Sequence, residues 1–123
     1  MKPLLTLPFL PLLSLLLPTH ALNTRCAAQS SLGDHPDCIC IDHNECVNRW
    51  GGRAVQGGPG DWPCPWDGEN VWGCMLGHPC VTRDSYCGWK SVCEGGGRYA
   101  GRVLPDPVCP GGNDFICCDM HGA

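Results

Sequence analysis

Cysteine is the residue that most constrains how this chain can fold. Twelve cysteines lie between residues 26 and 118 of a chain of 123 residues. Such a density in a short chain is typical of a secreted scaffold held together by disulfide bonds. Only fourteen leucines, isoleucines and valines follow residue 21, too few to offset the ordering entropy of about a hundred residues without cross-links. A cytosolic enzyme, a Rossmann or barrel domain and a helical bundle are therefore excluded.

The start of the chain indicates the compartment in which these cysteines oxidise. A positive residue, Lys2, precedes a largely apolar run at residues 4–17, and residues 18–21 form a small-residue exit ending in Ala21. This layout predicts a secretory signal peptide over residues 1–21, and the run is too short to span a membrane. We expect the mature protein to be secreted and extracellular, with no transmembrane segment.

The cysteine spacings indicate an internal repeat. Five residues separate two successive cysteines in each half, which are Cys40 and Cys46 in the first half and Cys87 and Cys93 in the second. Further segments correspond in the same order: 49–55 with 98–103, 63–65 with 108–110, and 70–74 with 114–118. Matching landmarks in a constant order favour the duplication of one small unit.

The repeat predicts how the chain is divided. Two tandem cysteine-rich modules are expected at residues 37–76 and 77–123, after an N-terminal extension at residues 22–36 that is partly loose. The fold class is small and disulfide-rich, β-rich with short helical turns, and has about six disulfides. The residue types predict a helical turn at 85–93 and short strands at 70–74, 98–103 and 113–118.

Twelve cysteines can pair in about ten thousand ways, and the sequence alone does not choose among them. The repeat favours pairings that are parallel in the two halves. Gly73 stands where the second half has Cys117, so the bridge made by Cys117 has no counterpart in the first half. One arrangement then uses every cysteine once: Cys26–Cys38, Cys40–Cys64, Cys46–Cys74, Cys80–Cys117, Cys87–Cys109 and Cys93–Cys118.

The second half contains a longer pattern. Residues 80–118 read Cys-x6-Cys-x5-Cys-x15-Cys-Pro-Gly-Gly-Asn-Asp-Phe-Ile-Cys-Cys. This string resembles a cysteine-rich module of fungal secreted proteins that ends in Cys-Pro-Gly-x-x-Asp-Ile-x-Cys-Cys, although Phe115 stands where isoleucine is commoner. The six-cysteine spacing is also similar to that of the clip domains of arthropod proteases, which share the pairing favoured for this half. The resemblance covers about forty residues and implies a small secreted, effector-like protein of fungal type.

Four tryptophans within 23 residues suggest a ligand-binding surface: Trp50, Trp62, Trp66 and Trp72. Indole faces stack on sugar rings, and a tryptophan on a rigid loop loses little entropy when it binds. Trp62 and Trp66 flank a proline-rich turn, which is expected at the surface, so these two are the candidate ligand-binding residues. Alternatively, the indoles cover disulfides where aliphatic side chains are scarce, and this role is expected of Trp50 and Trp72.

The remaining polar residues do not indicate catalysis. Residues 67–70 are expected to form a solvated turn, although Asp61, Asp67 and Glu69 cluster there. The histidines are scattered, and cysteines that have oxidised are not metal ligands. The chain has no Gly-x-Ser-x-Gly motif, and the favoured disulfide arrangement leaves no free thiol. We therefore expect a protein that is not an enzyme and has no metal and no cofactor.

Charge narrows the class of partner. The formal net charge is −4 and the arginines never form a run, whereas nucleic acids and anionic membranes attract a basic excess. We expect no nucleic-acid partner. The favoured function is a secreted, non-catalytic, effector-like binding protein whose partner is a cell-wall polysaccharide or an extracellular host protein. Alternatives are an antimicrobial or toxic peptide, and a structural or regulatory module of the cell wall.

Overall fold

Two three-stranded antiparallel sheets, each with one short helix, form the described part of the chain. A computed structural model of the protein describes residues 23–77, 79–105 and 108–120. The predicted signal peptide lies outside these ranges. The small, β-rich, disulfide-rich fold class is confirmed. The elements are β1 (Cys38–Asp42), α1 (His43–Asn48), β2 (Arg53–Val55), β3 (Val71–Met75), β4 (Ser85–Trp89), α2 (Lys90–Glu94), β5 (Arg102–Val103) and β6 (Phe115–Asp119).

The two sheets have the same strand order and the same register. The last strand of each sheet lies in the middle, so the orders are β1-β3-β2 and β4-β6-β5. Cys40 is paired with Gly73 in the first sheet, and Cys87 is paired with Cys117 at the corresponding place in the second. The correspondence accords with the parallel pairings of the two halves, while a common origin by duplication stays a prediction.

Six disulfides pair all twelve cysteines, which all lie in the described ranges. The pairing that the repeat favours is confirmed in full: Cys26–Cys38, Cys40–Cys64, Cys46–Cys74, Cys80–Cys117, Cys87–Cys109 and Cys93–Cys118. In each half, one bridge joins the first strand to a loop, and another joins the helix to the central strand. Each sheet is therefore cross-linked both to its helix and to its longest connection.

The helices are short, and each follows directly from a strand. Asp42 ends β1 and caps α1, because its carboxylate Oδ1 accepts hydrogen bonds from the backbone N–H groups of Asn44 at 2.9 Å and Glu45 at 3.2 Å. Such a cap satisfies donors that have no partner within the helix. In the described part of the chain, no helix has the length or the apolar character needed to cross a membrane.

The local secondary-structure predictions are right in part. The strand expected at 70–74 is present as β3, and the strand expected at 113–118 begins at Phe115 as β6. The helical turn expected at 85–93 is wrong for residues 85–89, which are a buried strand paired with β6. Pairing across the sheet overrides the local preference of this segment.

The N-terminal extension is packed, so the expectation of a partly loose segment is wrong for residues 23–36. The backbone N–H of Asn23 donates to the carbonyl of Cys40 at 2.8 Å, and that of Ala27 donates to the carbonyl of Pro63 at 2.7 Å. Leu32 is buried among the cysteines of the first half. The Cys26–Cys38 bridge therefore holds a segment that the sheet and its loop also bind.

The largest hydrophobic core is shared by the two halves. Ile39, Ile41 and Leu76 of the first half pack in one cluster with Trp89 and Phe115 of the second. The indole N–H of Trp89 donates to the carbonyl of Cys38 at 3.0 Å, and its ring lies edge-on to Phe115 with centroids 4.8 Å apart. Because the cluster draws on both sheets, neither half buries these side chains alone.

The position of Trp89 yields a stability prediction. Trp89→Phe removes the donor to the buried carbonyl of Cys38 and leaves a gap in the shared core, so the free energy of unfolding should fall by about 2 kcal/mol. Urea unfolding of the oxidised protein, followed by circular dichroism, measures this loss. The exposed indole of Trp66 provides the control, because Trp66→Phe should leave the midpoint unchanged. Equal midpoints for Trp89→Phe and the wild type would contradict the shared core.

Candidate binding site

The tryptophans of the first half differ in what covers their rings. His43 stacks on Trp72 with ring centroids 4.2 Å apart, and the indole N–H of Trp72 donates to the carbonyl of Glu69 at 2.7 Å. Trp50 packs against the shared core, and the guanidinium of Arg49 lies 4.9 Å from its ring centroid. Both indoles are thus engaged within the protein, as expected from their places in the repeat.

Trp66 is 73% exposed, the most exposed of the large hydrophobic side chains in the described residues. Trp62 is only half-buried, and it does not contribute to the groove that Trp66 lines. The structure therefore gives the two candidate residues different environments. The side chain of Trp66 therefore lies at the surface as expected, and that of Trp62 is only partly exposed.

The loop that carries Trp66 is fixed at several points. Cys64 is bonded to Cys40 of strand β1, and Pro63 before it is fully buried. The carbonyl of Pro63 accepts the hydrogen bond from Ala27, and the N–H of Asp67 donates to the carbonyl of Cys64 at 3.4 Å. A loop backbone that is fixed before a ligand arrives lowers the entropic cost of binding.

Trp66 forms one wall of a groove of about 360 Å³. Pro65 lies beside it, and Thr24 and Arg25 of the N-terminal segment line the groove together with Asp67. The guanidinium of Arg25 lies 5.9 Å from the ring centroid of Trp89 in the shared core, and Asp67 is buried, so the exposed indole and the neighbouring proline are the main features of the groove. The apolar face of C–H groups on a sugar ring stacks on such an indole.

Sequence reasoning missed Thr24 and Arg25. They lie some forty residues before Trp66, and no motif links the two segments. Their position follows from backbone pairing with β1. The N–H of Cys40 donates to the carbonyl of Thr24 at 2.9 Å, and Arg25 pairs with Ile39 in an isolated antiparallel β-bridge. The disulfide expected between Cys26 and Cys38 is the sequence feature that indicates that this segment lies against the sheet.

The acidic residues near Trp66 occupy different environments. Asp67 is only 4% exposed, so the expectation of a solvated turn is wrong at this residue, although residues 68–70 are exposed. The Oδ1 atom of Asp61 accepts a hydrogen bond from the backbone N–H of Ser31 at 2.6 Å. This bond holds the pKa of Asp61 below the ordinary value of an aspartate.

Sulfur atoms form two close clusters within the described residues, around Cys40 and around Cys87. Every sulfur in them belongs to a disulfide. Metal ions bind thiolates, and a disulfide sulfur carries no such charge. The clusters therefore reflect the packing of bridges and give no support to a metal centre.

Comparison of the chain with protein-family models, with curated proteins and with solved structures found no match.

The Ser31–Asp61 bond makes a pH-dependent prediction. Because the pKa of Asp61 is lower in the folded protein than in the unfolded chain, the bond contributes fully above the unfolded value of about 3.9 and is lost as the pH falls through the folded value. The amide proton of Ser31 should therefore shift in NMR spectra with a midpoint below that value.

Asp61→Asn supplies the control, because the amide cannot ionise. The Ser31 signal should then stay constant over the same pH range. A Ser31 midpoint at or above the ordinary aspartate value would contradict the bond.

Proposed function

We propose that this protein is a secreted, non-catalytic binding protein that recognises a surface polysaccharide through the groove beside Trp66. The observation that carries the proposal is an indole that is 73% exposed on a loop fixed by the Cys40–Cys64 bridge. Exposing such a ring to water is unfavourable, and its flat face can stack on the apolar face of a ligand. The predicted signal peptide supports an extracellular setting.

The groove favours a neutral carbohydrate over other ligands of similar size. The guanidinium of Arg25 lies over the ring of Trp89 and Asp67 is buried, so neither charge favours a strongly anionic or a strongly cationic chain in the groove. Thr24 is exposed, and a hydroxyl can both donate to and accept from sugar hydroxyls. The net charge of −4 also disfavours the attraction to anionic membranes that an antimicrobial peptide uses.

The resemblance of residues 80–118 to fungal secreted modules supports a more specific role. In that role the protein is an effector-like molecule acting on a host or a competing microbe, and its polysaccharide belongs to a cell wall. The matched strand registers of the two sheets support the duplication inferred from the sequence. The groove itself belongs to the first half, so the first half binds the polysaccharide and the second braces it through the shared core.

Retention on insoluble polymers tests the proposal. The oxidised protein is incubated with chitin, cellulose, β-glucan and peptidoglycan, and the unbound fraction is measured after sedimentation. We expect retention on one polymer, and Trp66→Ala should weaken it about tenfold or more, since a central aromatic contributes about 2 kcal/mol or more to binding. Trp66→Phe keeps a flat ring and should retain part of the affinity.

A matched control separates stacking from general surface hydrophobicity. Val47 is 51% exposed on helix α1 and is not among the residues that line the groove, so Val47→Ala should bind as the wild type does. The melting temperature of Trp66→Ala should match that of the wild type, because the ring has little packing to lose. Absence of retention on every polymer, or full retention of Trp66→Ala, would reject the polysaccharide and leave an extracellular protein as the partner to seek.

A further inference from the structure

A second concave site lies where the two halves meet, and the proposed polysaccharide groove does not use it. This junction pocket has a volume of about 210 Å³. The N-terminal extension contributes His35, the first module contributes Asp37, and the second module contributes Gly77, Tyr86, Tyr99 and Met120. Its size accommodates a single side chain or a small molecule and is below that of the usual pocket for a drug-sized ligand.

A largely buried carboxylate lies in the lining of the junction pocket. The side chain of Asp37 is 11% exposed, and its Oδ1 atom is 3.9 Å from Nδ1 of His35. At Gly77, a Cβ atom would lie 2.7 Å from Oδ2 of Asp37, so any larger residue would crowd this oxygen. Asp37 also has partners within the protein, and its carboxylate places a negative charge in the wall of the pocket.

Two aromatic rings and a thioether complete the lining. The rings of Tyr86 and Tyr99 meet edge-on with centroids 6.1 Å apart. The hydroxyl of Tyr86 donates to the backbone carbonyl of Tyr99 at 2.8 Å, which fixes the two residues relative to each other. Tyr99 and Met120 are exposed, so this wall extends to the surface.

Tyr86 is buried beside a negative charge in this lining. Burial, followed by the negative charge of Asp37, raises the pKa of Tyr86 to about 12. The phenol therefore stays neutral, and the carboxylate supplies the charge. The Tyr99 ring already attracts a cation, since the guanidinium of Arg98 lies 5.6 Å from its centroid.

We propose that the junction pocket binds an ammonium group, carried by a lysine side chain of a partner protein or by a free alkylamine. A buried carboxylate is stabilised by a cationic hydrogen-bond donor, and the electron-rich faces of aromatic rings attract the same charge. The methionine thioether packs against the alkyl chain of such a ligand. An anion is repelled by Asp37, and a neutral sugar gains nothing from the charge.

An NMR titration of the oxidised protein tests this assignment with three probes. Nα-acetyl-lysine methylamide, whose side-chain ammonium is free, represents a lysine in a protein, and 1,5-diaminopentane represents a free amine. Nα-acetyl-norleucine methylamide is a control of similar shape without the charge. We expect saturable shifts of the Tyr86 and Tyr99 ring signals and of the Met120 methyl signal with the charged probes only. Tighter binding of the lysine probe identifies a protein partner, and tighter binding of the diamine identifies a free amine.

Three variants locate the interaction. Asp37→Asn removes the charge with little change in shape and should weaken binding about tenfold or more. Gly77→Ala keeps the charge but crowds Oδ2 of Asp37, and it should also weaken binding. Glu94→Gln removes one charge at an exposed position of helix α2 and should change nothing.

Several results would overturn the proposal. These are the absence of saturable shifts with either charged probe, equal shifts with the norleucine probe, and undiminished binding by Asp37→Asn or Gly77→Ala. If Asp37→Asn does not fold, the comparison of charged with neutral probes on the wild type and on Gly77→Ala still decides the matter. Polysaccharide retention by Asp37→Asn should be normal, so failure of this site is distinguishable from failure of the groove.

Discussion

Cross-linking by cystine replaces much of the aliphatic core that a larger domain would have. Eight half-cystines are 1% exposed or less, among them Cys40, Cys74 and Cys117 at the centres of the sheets. Each bridge removes conformations from the unfolded chain, a stabilisation of about 2–4 kcal/mol in the usual case. The bridges thereby allow strands of two to five residues and loops rich in glycine and proline to hold one arrangement.

The same cross-links explain how both sites are assembled. Thr24 and Arg25 line the groove beside Trp66, and His35 and Asp37 line the junction pocket. All four belong to one segment, which the Cys26–Cys38 bridge and backbone hydrogen bonds hold against β1. Residues distant in sequence thus form two separate concave surfaces on either side of a single anchored stretch.

The repeat favours one disulfide pairing because it reduces a combinatorial problem to a comparison of two halves, and the structure has that pairing. Strand β3 and most of β6 could be predicted from residue type, although the predicted strand began at residue 113 and β6 begins at Phe115. The strand at Ser85–Trp89 could not, since its conformation depends on β6, some thirty residues later. The packing of residues 23–36 and the burial of Asp67 were also out of reach, because both depend on contacts between segments that share no motif. For the same reason, sequence reasoning treated Trp62 and Trp66 alike, and the groove distinguishes them.

The shared core has a consequence for how such units can be combined. Strand β1 of the first half and strand β4 of the second cover each other's apolar side chains, with Trp89 reaching across to the carbonyl of Cys38. In a solenoid, every unit offers a fresh apolar face to the next one, and the array can grow. Here the apolar faces of the two units cover each other, so the units form a closed pair around this core. A further unit would have to pack on a surface outside the shared core.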